Sequence, residues 1–241
     1  MRNFLCFDLG ETLINFNKPN RKWHSTLKNK VLPEMYSTLR KNLQVFKGIC
    51  TVKEFSNFGY KIISENRKLS MIKRLSLILE YYKIPIEGDL INLLLDDFYH
   101  NLLSDAFLYP DTINILEKLK EKGFVLGLWS NTPWESPGFL MEKIMEHFKI
   151  RKYFTHVLFS GDYGVRKPNP LTFDIVLKKA QLDKSQMIYI GNAEVDIKTG
   201  SNFGIPVIWV NREQKKLSKD CPTPEFIIKD LEGIFHLIPI N

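Results

Sequence analysis

Residues 4–13 read FLCFDLGETL. Four apolar residues, Phe4 to Phe7, stop at an acid, Asp8, which is followed by Leu9, a flexible Gly10 and a second acid, Glu11. The near-continuous apolar character of residues 2–8 suits a strand covered on both faces, as in a parallel α/β sheet. A buried strand gains nothing from a carboxylate at its end. Asp8 is therefore either a turn residue or a working carboxylate, and the rest of the chain has to decide which.

Downstream, the rhythm splits in two. Residues 20–105 contain helical patterns and no strand. Trp23, Leu27 and Val31 recur every fourth residue, and so do Met35, Leu39 and Leu43 after the breaker Pro33. Thr51 with Glu54 forms a capping box ahead of Phe55, Phe58 and Ile62. Ile72, Leu75, Leu79 and Tyr82 make a further stripe, and Asp89 can cap a helix through Leu90, Leu94, Phe98 and Leu102. From Pro110 onward, strands and helices alternate. Asp111 or Thr112 caps a helix through Ile115, Leu116 and Leu119, closed by Gly123. Strands are expected at 124–130, 155–160, 187–191, 206–210 and 225–228, with helices near 139–149, 171–181 and from Val195. Such alternation implies right-handed crossovers and a doubly wound parallel sheet.

In a sheet of that kind, ligands bind beyond the carboxyl ends of the strands. Asp8 ends the first strand, Ser130 and Asn131 end the second, Lys167 lies in the loop after 155–160, and Asn192, Glu194 and Asp196 follow 187–191. These chain-distant residues would converge on one crevice. A carboxylate there can attack an electrophile and form a covalent intermediate. The Ser130 hydroxyl and the amides near Gly10 and Asn131 can donate to phosphoryl oxygens, and Lys167 can offset negative charge. Oxygens at Asp8, Asn192 and Asp196 are hard ligands of the kind Mg²⁺ prefers.

Composition bounds the reading. The 241 residues are 44% hydrophobic and 25% charged, ordinary for a globular protein. No apolar run approaches the roughly 20 residues that span a bilayer, and no signal-peptide layout precedes Asp8, so a cytoplasmic protein without membrane contact is expected. Cys6, Cys50 and Cys221 show no metal spacing and are expected to be reduced and mostly buried. His24, His100, His147, His156 and His236 show no ligand spacing and read as structural. The net charge is +7, but residues 16–74 hold 14 Lys and Arg against three acids, so that segment is +11 and the remainder −4. Most of these cations, Arg21 and Lys22 included, read as solvated helix faces; collectively they favour a small anionic ligand. Aromatics and glycines are not interleaved with them as in an RNA-binding platform, which disfavours nucleic acid.

Taken in order, DLGETL, WSNT, VRKPNP and IGNAEVDI resemble the four motifs of the haloacid dehalogenase superfamily, and YPDTINILEKLKEKGF and FGIPVIWVNR extend the likeness. The resemblance covers residues 1–15 and about 106–230. It implies a Rossmann-like α/β core at 1–15 and 106–241 with an α-helical cap domain inserted at 16–105. It also implies Asp8 as nucleophile, Ser130 as phosphate-binding hydroxyl, Lys167 as charge-balancing lysine, Gly10 and Asn131 as substrate-binding positions, and Asp8, Gly10, Asn192 and Asp196 around Mg²⁺.

Two positions depart from the pattern. Phosphatases of this superfamily usually carry Asp, as general acid and base, where this chain has Gly10; glycine keeps the backbone carbonyl for the metal but loses the proton carrier. Glu11 would point elsewhere from an extended backbone, leaving Glu194 as a candidate substitute. Asn192 replaces the usual acid, which weakens a Mg²⁺ site and points to the metal-free 2-haloacid dehalogenases, although those resemble D-x-Y-G-T in the first motif. A Mg²⁺-dependent phosphatase of a small phosphorylated metabolite is the first expectation. A metal-independent dehalogenase and a non-catalytic binding protein are the alternatives.

Overall fold

The structure is a computed structural model that describes residues 3–16, 23–46, 48–66, 69–86, 88–102 and 106–237. Arg2, Lys18, Arg21, Lys22, Lys47, Arg67 and Lys68, and the side chains of Trp23 and Leu102, lie outside the described residues. The strands are β1 (Phe4–Phe7), β2 (Ile14–Asn15), β3 (Phe107–Leu108), β4 (Val125–Ser130), β5 (His156–Phe159), β6 (Met187–Gly191), β7 (Val207–Val210) and β8 (Phe226–Ile228). Six of them form one sheet in the order β5-β4-β1-β6-β7-β8, with every pairing parallel. This is the expected doubly wound α/β sheet. β1 lies at its centre, and all four of its residues are buried, which is what a continuous apolar run at a strand covered on both faces requires.

The chain divides into two compact units. One comprises Met1–Phe16, Phe107–Thr132 and Pro137–Asn241; the other comprises Asn17–Ala106 with Pro133–Ser136. In the first, β2 and β3 pair antiparallel through Ile14–Leu108 and Asn15–Phe107. The sequence reading missed this ribbon because two residues per strand leave no period to detect.

The second unit is helical, with two corrections to its reading. Pro33 does not separate two helices. A π-helical turn, Leu27–Val31, runs straight into the helix Leu32–Asn42, so Pro33 lies inside a continuous helical run, directly after a widened turn of the kind that accommodates a proline. The Thr51–Glu54 capping box forms as expected, with Thr51 N donating to Glu54 Oε2 at 2.7 Å. However, the helix Val52–Glu65 buries Phe55, Gly59 and Ile63, whereas Phe58 and Ile62 are only partly covered. Gly59 shifts the face, because a Cβ there would lie 2.6 Å from Leu32 Cδ2. Arg74 is a third exception, this time to the solvated-face reading. It is 2% exposed and donates to the carbonyls of Leu69 and Ile63. The described cysteines are free, but only Cys6 is buried; Cys50 and Cys221 are partly exposed.

Candidate active site

β1 delivers Asp8 at the centre of the sheet, where its N–H donates to the Ile190 carbonyl of β6 at 2.8 Å. The neighbouring strands bring their own terminal residues alongside. β4 ends at Ser130, whose hydroxyl lies close enough to the Asp8 carboxylate to favour its charged form. Asn131 clamps the lysine loop from both sides: its Nδ2 donates to the Lys167 carbonyl at 3.1 Å, and its Oδ1 accepts from the Lys167 N–H at 2.9 Å. Lys167 then reaches back 159 residues to Asp8 Oδ1 at 2.7 Å and to Asp196 Oδ1 at 2.5 Å. The lysine and both carboxylates are buried.

Two carboxylates sharing one ammonium leave this buried group with a net charge of −1. The consequences run in both directions. Burial pushes the Asp8 carboxyl above the usual carboxylate range against the pull of Lys167, and the Asp196 charge adds to the push. Burial alone would lower Lys167, but Asp196 and Asp8 outweigh it and hold the ammonium above the ordinary lysine value. The Cys6 thiol below the site is pushed far up by burial and is inert as a nucleophile.

The loop after β1 is fixed at several points. Glu11 adopts a left-handed backbone, φ 59°, rather than the extended one, and its N–H donates to the Ile14 carbonyl. Its carboxylate accepts from the Phe16 N–H and the Tyr109 hydroxyl, each at 3.2 Å. It is therefore turned to the β2–β3 ribbon and not to Asp8. The amides of Leu9 and Gly10 find no acceptor among the described residues. Thr12 Oγ1 donates to Asn192 Oδ1 at 3.2 Å, tying this loop to the one after β6. Arg212, just past β7, donates to the Thr12 carbonyl, grips Asp111 with two bonds of 2.9 Å, and lies 3.9 Å from the Tyr109 ring centroid. Asp111 or Thr112 was expected to cap the helix Thr112–Glu121; Thr112 Oγ1 donates to the Leu13 carbonyl, and the cap position falls to Asp111. Its side chain makes no capping bond and serves Arg212 and the Leu231 N–H instead.

Glu194, the candidate substitute base, accepts from the Ser218 N–H and hydroxyl and pairs with Lys198. The Ser218 bonds pull its carboxyl below the ordinary range, which suits a structural anion and not a base. Trp129 and Trp209 are buried, Trp209 Nε1 donating to the Asn192 carbonyl, while Phe139 is half-buried.

The sequence reading missed Tyr189, Thr12 and Arg212. Tyr189, inside β6, accepts from Lys167 Nζ at 2.7 Å and donates to the Trp129 carbonyl at 2.8 Å. Its one sequence signal is a hydroxyl-bearing side chain in an otherwise apolar, fully buried strand.

The ligands that the resemblance implies fit Mg²⁺ in kind. They are the second Asp8 oxygen, the Gly10 carbonyl and the Asn192 amide oxygen, all hard, and Mg²⁺ needs only one or two carboxylates and keeps several waters. They supply little charge: Asp196 Oδ1 is bound by Lys167 and Oδ2 by the Ala193 N–H at 2.9 Å. Among the described residues, no three His, Cys, Asp or Glu side chains gather as a metal cluster. No described helix is long and apolar enough to cross a membrane.

The family profile described as haloacid dehalogenase-like hydrolase matches residues 5–210. An (S)-2-haloacid dehalogenase of Pseudomonas putida is 28% identical over 145 residues, 58% of this chain and 62% of that protein. A phosphoglycolate phosphatase of Vibrio parahaemolyticus is 29% identical over 157 residues, 61% of this chain and 64% of that protein. The matched segment thus spans under two thirds of either relative. A HAD phosphatase from Thermococcus onnurineus shares the fold with a TM-score of 0.62 over 99% of both chains, at 18% identity. With the profile covering most of the chain and the motif residues gathered at one end of the sheet, the chain belongs to the haloacid dehalogenase-like hydrolase family.

Proposed function

We propose that this hydrolase works through Asp8 as a covalent nucleophile and acts on the phosphomonoester of a small metabolite. One observation carries the reading: Asp8 Oδ1 is fixed by Lys167, the Leu9 and Gly10 amides that follow it in the chain have no acceptor among the described residues, and the Ser130 hydroxyl lies close to the Asp8 carboxylate. A transferring phosphoryl group needs a positioned nucleophile and donors for its equatorial oxygens, and this set supplies both. Asp8 attacks phosphorus and breaks the P–O bond to the leaving alkoxide, which takes its proton from water; a second water then cleaves the aspartyl-phosphate to inorganic phosphate and free Asp8. Asp8, Gly10 and Asn192 would hold Mg²⁺, which when bound offsets charge on the phosphoryl oxygens. The helical unit supplies substrate selection in this reading. Phosphoglycolate is a sensible first substrate, since several relatives carry that name.

A 2-haloacid dehalogenase is the second reading, in which Asp8 attacks carbon, expels halide and forms an ester that water hydrolyses. It is favoured by the neutral Asn192 and by Asp196 having both oxygens taken up by protein donors. Hydrolysis of p-nitrophenyl phosphate or phosphoglycolate that requires Mg²⁺, stops in EDTA and is lost in Asp8→Asn supports the first. Chloride release from 2-chloropropionate in EDTA assigns the second. Silence in both, with retained anion binding, leaves a binding protein.

A further inference from the structure

A lysine ammonium has three N–H bonds and no lone pair. All three on Lys167 meet oxygens of this chain: Asp8 Oδ1 at 2.7 Å, Asp196 Oδ1 at 2.5 Å and the Tyr189 hydroxyl at 2.7 Å. None is left for a substrate oxygen. We infer that Tyr189 is a positioning residue: its hydroxyl takes up the third Lys167 N–H and so commits the ammonium to Asp8 and Asp196 rather than to the substrate. The inference rests on the reading of Asp8 as nucleophile.

The direction of each bond follows from the others. The Tyr189 hydroxyl donates its single proton to the Trp129 carbonyl at 2.8 Å, so toward Lys167 it can only accept. The ring cannot swing away, because it is fully buried and packs against Phe173 with centroids 4.5 Å apart. Trp129 immediately precedes Ser130, so one hydroxyl joins the strand that carries the phosphate-binding serine to the lysine that holds the nucleophile. A lysine stem has several rotatable bonds. Losing one of three acceptors frees an N–H that an anionic substrate can claim, drawing the ammonium off Asp8.

Tyr189→Phe keeps the ring and removes only the oxygen. In ¹⁵N-labelled protein, the Lys167 side-chain ammonium, assigned by its loss in Lys167→Arg, is expected to exchange slowly with water, and faster in Tyr189→Phe. Asp8-dependent kcat is expected to fall by about tenfold or more, the scale of one hydrogen bond to a charged group, while KM holds or falls because the freed N–H binds the substrate ground state. A packing role alone would lower thermal stability and leave the ammonium signal and the kcat-to-KM split unchanged. That result overturns the inference, as does fast exchange of the Lys167 ammonium in the wild-type protein. If the wild type shows no Asp8-dependent turnover, the nucleophile reading falls and the positioning role falls with it. That failure is distinct, because the ammonium comparison does not depend on activity.

Discussion

At the scale of single residues, charge imbalance governs this site. Lys167 is the counter-ion of both Asp8 and Asp196, at 2.7 and 2.5 Å, and all three are buried. Lys167→Met would leave two desolvated carboxylates facing each other. We expect it to cost about 3–5 kcal/mol in urea unfolding at neutral pH, the range for removing one partner of a buried ion pair. Adding Asp196→Asn to that variant should return part of the loss; a purely additive further loss would mean that packing of the lysine stem, not its charge, carries the effect. A second expectation concerns the missing proton carrier at Gly10. Glu11 is bound to Phe16 and Tyr109, and Glu194 to Ser218, so neither is free to protonate a leaving group. A positioned acid contributes about 10²–10⁴-fold. Under the phosphatase reading, kcat/KM should therefore fall steeply from p-nitrophenyl phosphate through phenyl to alkyl phosphates, and a flat series would place an acid in the site after all. That Asp8 and Ser130 stand at strand ends was legible in the sequence because each closes an apolar run with a polar residue, whereas Lys167, in a polar loop, stood out only through its place in the ordered motifs. Tyr189 was not, since a tyrosine in an apolar strand reads as core until its hydroxyl is seen between Lys167 and Trp129.

At the scale of elements, the long buried strands were legible because continuous apolar runs bounded by Gly, Pro and polar residues have one good interpretation. The β2–β3 ribbon was not, and neither was the passage of the helical run across Pro33, because both are decided by tertiary pairing and not by period. Close approach of elements gives a sharper test. In the helix Glu194–Phe203, a Cβ on Gly200 would lie 2.1 Å from Val207 Cγ2 on β7. Alanine gains about 1 kcal/mol of helix propensity over glycine, but overpacking against a stiff β-branched side chain costs about 1–3 kcal/mol. Gly200→Ala should therefore be destabilising on balance, and Val207→Ala in the same chain should relieve the clash; a net gain for the single variant would show that the helix can slide on the sheet. On β5, burial lowers the pKa of His156, whose ring meets Phe4 edge-on at 6.2 Å. The folded state thus holds the neutral imidazole more firmly than the unfolded chain does. Its contribution to stability is present above the ordinary imidazole pKa and is lost as pH falls through the lower folded value. Unfolding free energy should decline over that acid-side window, and His156→Gln should flatten the decline.

For the whole molecule, the uneven charge is the property with a measurable consequence. A net +7 conceals a segment of +11, residues 16–74, and a remainder of −4. Of the described cations in that segment, Lys28, Lys30, Arg40, Lys41, Lys53, Lys61 and Lys73 are exposed, and Arg74 is buried against backbone carbonyls. The sequence made the sum legible but could not tell the one structural arginine from the solvated cations. Seven solvated charges of one sign set up a field that reaches about 10 Å at 0.1 M salt and about 30 Å at 0.01 M. A substrate carrying a phosphate dianion should therefore be gathered faster at low ionic strength. Under the phosphatase reading, kcat/KM is expected to fall severalfold as salt is raised from about 20 to about 200 mM, while kcat stays constant, because screening acts on encounter and not on the buried Asp8–Lys167 pair. Replacing Lys28, Lys30, Lys53 and Lys61 with Gln, all of them exposed, should flatten the dependence without changing kcat. The sign of the effect decides between sources of the field: if the −4 remainder prevailed where substrate is met, kcat/KM would rise with salt, and the basic segment would have no part in gathering the anion.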